Sequence, residues 1–120
     1  MATPNIVNVA TINAANSTAL LDGTSRTTAL DVPADVVAKV NTILVCNIDG
    51  TNAANVTIEV SIDNGSNFVA LASTISVPAD ATLSFLENPI YLDETDLLYF
   101  TASVNSDLTY FVSYETLNDA

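Results

Sequence analysis

The residues with the greatest capacity for chemistry form an acidic cluster in the C-terminal third, made of Asp93, Glu94 and Asp96. A pair of carboxylates is sufficient for acid–base hydrolysis of a glycosidic bond. The chain contains no tryptophan, however, and no sugar-stacking platform flanks the cluster in the sequence. We therefore interpret these residues as a solvated turn between two strands.

Calcium binding is the other chemistry that acidic turns support, because Ca²⁺ prefers hard oxygen ligands. Such ligands occur in the acidic cluster and also at Asp49, Asp63 and Asn64. The run that begins at Asp63 does not continue into an EF-hand loop, which requires alternating ligands and a terminal bidentate glutamate. We expect no metal ion and no cofactor.

The composition excludes most catalytic constellations. The sequence has no histidine, which removes the usual general base, the usual zinc ligand and any Ser-His-Asp or Cys-His arrangement. With only three glycines, the chain has no room for a glycine-rich phosphate loop. We predict that the protein is not an enzyme.

The charge balance restricts the partners. Fourteen acidic residues stand against Arg26 and Lys39, so the net charge is −12 at pH 7. Two basic residues cannot displace the counterions of a nucleic-acid backbone, and the same reasoning disfavours anionic membranes. We predict no nucleic-acid partner and no membrane partner. A partner protein with a cationic surface is compatible with the charge. Because only 13% of the residues are charged, large parts of the surface should be neutral.

Cysteine content and the N-terminus bear on the compartment. Cys46 is the only cysteine, so an intrachain disulfide is impossible, and its apolar neighbours favour a small buried side chain over a reactive thiol. Residues 1–5 lack the basic and apolar regions of a signal peptide. We expect a soluble protein that is made in the cytoplasm without export.

The elements that position these residues are predicted to be β-strands. Ile58, Val60 and Ile62 alternate with polar residues, and residues 40–48 are apolar on both parities, which predicts a strand covered on both faces. Turn signals such as Asn64-Gly65 recur about every 8–12 residues. We predict an all-β chain with one antiparallel β-sandwich, either jelly-roll or Ig-like, and an extended N-terminal segment.

Residues 1–30 differ in character, since they are rich in Ala, Thr, Asn and Ser. Two interpretations remain open: ordinary edge strands, or an extended arm that adds a strand to a neighbouring subunit. We expect residues 31–120 to form the β-sandwich domain. The candidate interface residues of this segment are Ile6, Val7, Val9, Ile12, Leu20 and Leu21.

Aromatic residues are further interface candidates, although most should belong to the core. A large ring with a polar tip makes a good anchor at a protein interface. Tyr99 shares its strand parity with Thr101 and Ser103, so it is the first choice for an exposed ring.

Several strand and turn segments carry a resemblance to a known class. They are residues 38–57, Val77 to Leu83, Pro89 to Leu92 leading to Asp96, and Val112 to Glu115. Together they resemble small virion structural proteins of tailed bacteriophages, particularly of marine and cyanobacterial hosts. The resemblance covers about residues 33–116 and does not include the N-terminal segment.

The resemblance implies a non-enzymatic virion protein, made in the host cytoplasm and located on the capsid surface. The favoured role is a capsid decoration, or cement, protein that binds and stabilises the outer capsid. Its partners would be the major capsid protein or other virion proteins, and it would form a homo-oligomer, with a trimer favoured. Two alternatives remain: a phage neck, tail or fibre component, and an adhesin-like sandwich that binds carbohydrate.

Overall fold

The computed structural model describes residues 9–119, and every regular element among them is a β-strand. No stretch of helix in this part of the chain could cross a bilayer. The nine strands are β1 (Val9–Leu20), β2 (Thr27–Asp31), β3 (Val36–Asn47), β4 (Ala54–Ser61), β5 (Val69–Val77), β6 (Thr82–Ser84), β7 (Ile90–Leu92), β8 (Leu97–Ala102) and β9 (Leu108–Asp119).

The strands form two antiparallel sheets, which confirms the predicted sandwich. The first sheet has the order β1-β9-β3-β6, with β7 also paired to β3, and the second has the order β2-β8-β4-β5. Strands pair from the two ends of the chain inward: β1 with β9, β2 with β8, β3 with β6 and β7, and β4 with β5. The chain thus forms one long hairpin that is folded into two sheets. This is the jelly-roll arrangement, one of the two predicted alternatives, and not the Ig-like one.

The core lies between the sheets, and each face of a strand is set by alternation. On β3 the buried parity changes from Ala38 and Val40 to Ile43 and Val45, because the pairing with β9 shifts register between Val40 and Thr42. Phe100 of β8 stacks on Tyr110 of β9, with ring centroids 4.5 Å apart and planes within 5° of parallel. Around this pair lie branched aliphatic side chains that are fully buried, including Ile43, Ile58 and Val112. β-branched residues pack well on a pleated surface, which is why these segments form strands.

Local details refine the predicted elements. The third strand begins at Val36, four residues before the predicted start at Val40. Residues 69–77 form one strand, β5, whose pairing with β4 is interrupted twice and in which Thr74 has φ = 53°. The predicted turn is confirmed, since Asn64 and Gly65 both have positive φ, at 58° and 89°.

Candidate functional site

The outer face of the first sheet carries two rows of side chains that point away from the core. Phe111 of β9 lies opposite Thr18 of β1 and Leu44 of β3. Side chains alternate along a strand, so the buried neighbours Tyr110 and Val112 place Phe111 on the outer side. The side chains of the second row also point away from the core. They belong to Leu20, Thr109, Cys46 and Thr82.

The two rows enclose a shallow groove of about 600 Å³ that is open to solvent. Leu20 and Phe111 are 42% and 40% exposed on its walls, while Leu44 and Cys46 are half-buried. The predicted burial of Cys46 is therefore only partial, because its side chain lies on the outer face and not between the sheets. We call this site the outer groove; it is lined by Thr18, Ala19, Leu20, Leu44, Cys46, Thr82, Thr109, Tyr110 and Phe111.

Charge is almost absent from this face. From the Ile12 row to the Leu20 row, Lys39 and Glu115 are the charged residues that point outward, and they lie opposite each other on β3 and β9. The Nδ2 of Asn41 also donates to Oε1 of Glu115 at 3.3 Å. Only four of the fourteen acidic residues lie within strands, and the others lie in the connections; the four are Asp31, Glu59, Glu115 and Asp119. The negative charge is thus concentrated at the two ends of the sandwich.

β1 forms the free edge of the same sheet. None of its residues is buried, and only Val9, Ala15 and Ser17 are half-buried. Within residues 9–119, β1 pairs with β9 alone, so its other side presents unpaired backbone N–H and C=O groups. The outer groove and this edge form one continuous surface, since Thr18 and Leu20 belong to both.

The interface residues that were predicted from the sequence differ in their exposure in the structure. Ile12 and Leu20 are exposed on β1, at 60% and 42%, and Val9 is half-buried at its start. Leu21 is 1% exposed within the core, where its N–H donates to the carbonyl of Leu108, so its side chain is occupied inside the domain. Ile6 and Val7 lie outside the described residues.

Tyr99 lies on the second sheet, away from β1. It is half-buried, and its ring packs edge-on against Phe68 at 5.3 Å. The guanidinium of Arg26 lies 3.7 Å above the Phe68 ring and makes two hydrogen bonds to Glu59, at 2.9 and 3.2 Å. These contacts between charge, ring and carboxylate fasten the loop that contains Phe68 to the second sheet.

The acidic cluster is a strand-connecting turn, but the prediction that it is solvated is wrong. Glu94 and Asp96 are only 8% and 7% exposed. Oε2 of Glu94 accepts from the backbone N–H of Asp35 at 2.8 Å, and Oδ2 of Asp96 accepts from the N–H of Asp93 at 2.9 Å. Burial raises the pKa of Asp96 above its usual value, with a further contribution from the nearby charge of Asp93.

The other calcium candidates are also engaged in turns. Asp63 accepts from the N–H and Nδ2 of Asn67, at 2.8 and 2.7 Å, and from Oγ of Ser61 at 2.9 Å. These bonds, chiefly those from Asn67, lower the pKa of Asp63. Bonds led by the one from the Thr51 N–H likewise lower the pKa of Asp49. Residues 9–119 hold no group of three acidic or cysteine side chains arranged to bind a metal.

The outer groove exposes apolar side chains of the kind that a partner covers. Sequence reasoning did not select Phe111, Leu44 or Cys46 for the site. A signal for them existed, because residues 110–112 and 43–46 are apolar on both strand parities. A strand with two apolar faces has to pack against other residues on both sides. The second sheet packs against the inner face of β3 and β9 and leaves their outer face uncovered.

Comparison with known proteins identifies the fold. No family model and no curated protein matches the sequence. A chain from a structure of Bacillus endospore appendages, described as a novel family of disulfide-linked pili, is similar with TM-score 0.56 and 13% identity, over 92% of this chain and 88% of that chain. Two crystal structures of a pentameric capsid protein from metagenomic phage sequences have TM-score 0.42 and 18% identity over 88% of this chain. This chain spans 60% and 62% of their lengths. At 13% identity, the likeness to the appendage chain is one of fold alone.

Proposed function

We propose that this chain is a non-enzymatic structural protein of a phage virion, and that it decorates and stabilises the outer surface of the capsid. The observation that carries the proposal is the outer face of the first sheet, which is broad, almost uncharged and bears an apolar groove with Phe111 and Leu20 exposed on its walls. Its partner would be the major capsid protein. The resemblance of residues 33–116 to tailed-phage virion proteins supports this choice of particle.

The physics of the face suits a permanent contact. Burying charges at an interface is costly, and this face has only two outward charges to bury, Lys39 and Glu115, which are register partners on β3 and β9. Phe111 is a large aromatic side chain, a type that is enriched at protein interfaces. Thr18, Thr82 and Thr109 around it can exchange hydrogen bonds with a partner.

The acidic connections have a second part in the proposal. Charges at the rim of an interface mainly accelerate and orient association. Acids such as Asp22, Asp49 and Asp107 lie at one end of the sandwich, beside the loops that join β1 to β2, β3 to β4 and β8 to β9. They would guide this end toward basic patches of the shell. The edge strand β1 would contribute to the contact with neighbouring subunits of the lattice.

The carbohydrate-binding alternative fits less well. Jelly rolls also form lectins, so the fold alone does not decide. Tyr91 is 55% exposed and precedes the acidic turn, as an aromatic platform beside a calcium site would. Yet the carboxylates of Glu94 and Asp96 in that turn are buried and accept backbone hydrogen bonds, so they are not free to ligate.

The test is binding of the purified protein to capsid shells that lack it, prepared from the phage that carries its gene. We expect saturable cosedimentation with many copies per shell and greater heat resistance of the decorated shells, because multivalent contacts on a lattice add up. Binding of a few copies per particle would assign the chain to the neck or tail. Absence of binding to shells and particles would overturn the proposal.

A further inference from the structure

We infer that two copies of this chain pair through β1, edge to edge and antiparallel, so that their first sheets join into one continuous sheet. The inference stands apart from the capsid role and concerns only self-association. Three observations carry it: the regularity of β1, the absence of charge along it, and the contrast with the other edge strands.

β1 is an unprotected edge of unusual length. Its pairing with β9 runs without interruption from Thr11 to Leu20, so the free side is straight as well. Natural edge strands are normally guarded against pairing by charges, prolines, bulges or short length. β1 spans 12 residues and has none of these guards between Thr11 and Leu20.

The other edges of the two sheets are guarded. β2 has 5 residues, and β6 and β7 have 3 residues each. β5 is longer and also uncharged, but its pairing with β4 is broken twice, and Thr74 is held at positive φ. Such irregularities twist an edge away from an incoming strand. β1 is therefore the long regular edge of the described chain.

The lack of charge on β1 favours a second copy of the chain as the partner of this edge. Two molecules of net charge −12 repel each other, so a self-contact is favoured only where the chain is neutral. The first charged side chain of the sequence is that of Asp22, beyond the end of β1. Main-chain hydrogen bonds provide the affinity in strand addition, and the small Ala, Thr, Asn and Ser side chains of β1 permit close approach.

Geometry restricts the pairing to a two-fold arrangement. Antiparallel pairing of identical strands within one sheet is isologous, with the axis perpendicular to the sheet. Residues that lie opposite each other must point to the same face, so a full-length pairing centres on Ala14 or Ala15, which then meets its own copy. Both outer grooves would lie on the same side of the joined sheet. The predicted state is a dimer, where the family resemblance implies a trimer.

The first test is the molar mass of the full chain by light scattering across a range of concentrations and salt. We expect a monomer–dimer equilibrium that shifts toward the dimer when NaCl rises from about 0.05 M to about 0.5 M, because salt screens the like-charge repulsion. A mass that stays monomeric at all concentrations, or a trimer, would overturn the inference.

A charge-swap experiment tests whether β1 is the contact. Asn13 and Asn16 are exposed near the middle of β1. The double variant Asn13→Asp/Asn16→Asp and the double variant Asn13→Lys/Asn16→Lys should each weaken the dimer at least roughly tenfold, because they bring like charges close together across the pair. Asn13 lies diagonal to its own copy when Ala14 is the centre, and Asn16 lies diagonal to its own copy when Ala15 is the centre. An equimolar mixture of the two should restore the dimer, which also shows that both variants are folded.

The matched control places the same charges on the other edge. Ser73→Asp/Ser76→Asp has the same spacing and exposed positions on β5, and it should leave the dimer unchanged. Disulfide trapping adds a direct measurement: in a Cys46→Ser background, Ala14→Cys or Ala15→Cys should cross-link two copies under oxidation. Equal effects of the β1 and β5 variants, or no cross-link at either alanine, would contradict the pairing.

Discussion

Phe111 on β9 and Leu44 on β3 lie directly opposite each other and face away from the core, so an aromatic–aliphatic pair lies on the outer face in the middle of a sheet. Such a pair ordinarily belongs inside a domain. In this chain Tyr110 and Val112, the neighbours of Phe111, occupy the inner face. The outer pair therefore has no cover within the described sandwich, and this relationship is the basis of the proposed docking surface.

Phe111→Thr tests that surface. Threonine keeps a β-branched residue on the strand and removes the ring, so we expect shell binding to weaken roughly tenfold or more. The free energy of unfolding should fall by no more than about 2 kcal/mol, because the side chain is 40% exposed already. Cosedimentation with shells and urea denaturation measure the two effects.

The control for this variant is Ile75→Thr. Ile75 has the same exposed fraction as Phe111, 40%, but lies on β5 in the other sheet. It should leave shell binding unchanged. Equal weakening by both substitutions would show that the outer face of the first sheet is not the docking surface.

Glu94→Ala should destabilise the fold. The carboxylate of Glu94 is 8% exposed and accepts from the N–H of Asp35, a residue at φ = 63° that begins the approach to β3. Removing the acceptor leaves a donor unsatisfied, at a cost of about 1–3 kcal/mol in the free energy of unfolding. Glu94→Gln keeps a carbonyl acceptor and should reduce the free energy of unfolding by less. Chemical denaturation of both variants measures the difference, and an Ala variant as stable as the parent would refute the structural role.

The sequence predicts the structure well where local interactions determine a residue's environment, and poorly where tertiary contacts determine it. Period-two alternation on β4 and the Asn64-Gly65 turn are local signals, and both predict their elements. The alternation is wrong at Ile62, which lies beyond the end of β4 and is 72% exposed. Tyr99 and Leu21 depend on tertiary packing: alternation gives the parity of Tyr99 but not its contact with Phe68, and it cannot show that Leu21 turns into the core. The burial of Glu94 follows from a contact with Asp35, 59 positions away in sequence, which no local pattern contains.

Asp63 should support the fold in neutral solution and lose that role in acid. Its pKa is lowered in the folded state by the bonds from Asn67, so it contributes stability above its unfolded value near 3.8. That stability is lost as pH falls through the lowered folded-state pKa. Asp63→Asn should therefore be less stable than the parent at pH 6, with a gap that closes toward pH of about 2.

Thermal denaturation at several pH values measures this dependence. Asp31→Asn removes the same unit of charge at the end of β2 and serves as the control for net charge. A gap between Asp63→Asn and the parent that stays constant from pH 6 to the acid limit would contradict the assignment.

Asp96 should behave in the opposite sense. Burial raises its pKa in the folded state, so its ionisation opposes folding once the pH rises above the unfolded value near 3.8. Asp96→Asn removes the charge and keeps an oxygen that can accept from the N–H of Asp93. Relative to the parent, this variant should gain stability as pH rises from about 3 to about 6. A relative loss over the same range, measured by urea denaturation, would show that the carboxylate is stabilising when ionised.

The most direct test of the account is cryo-electron microscopy of purified virions that contain this chain. We predict a lattice of many copies over the capsid, with β1, β3 and β9 turned toward the shell and Phe111 buried against it. Copies confined to one vertex would contradict the decoration role. Absence of the protein from the particles would contradict the virion assignment itself.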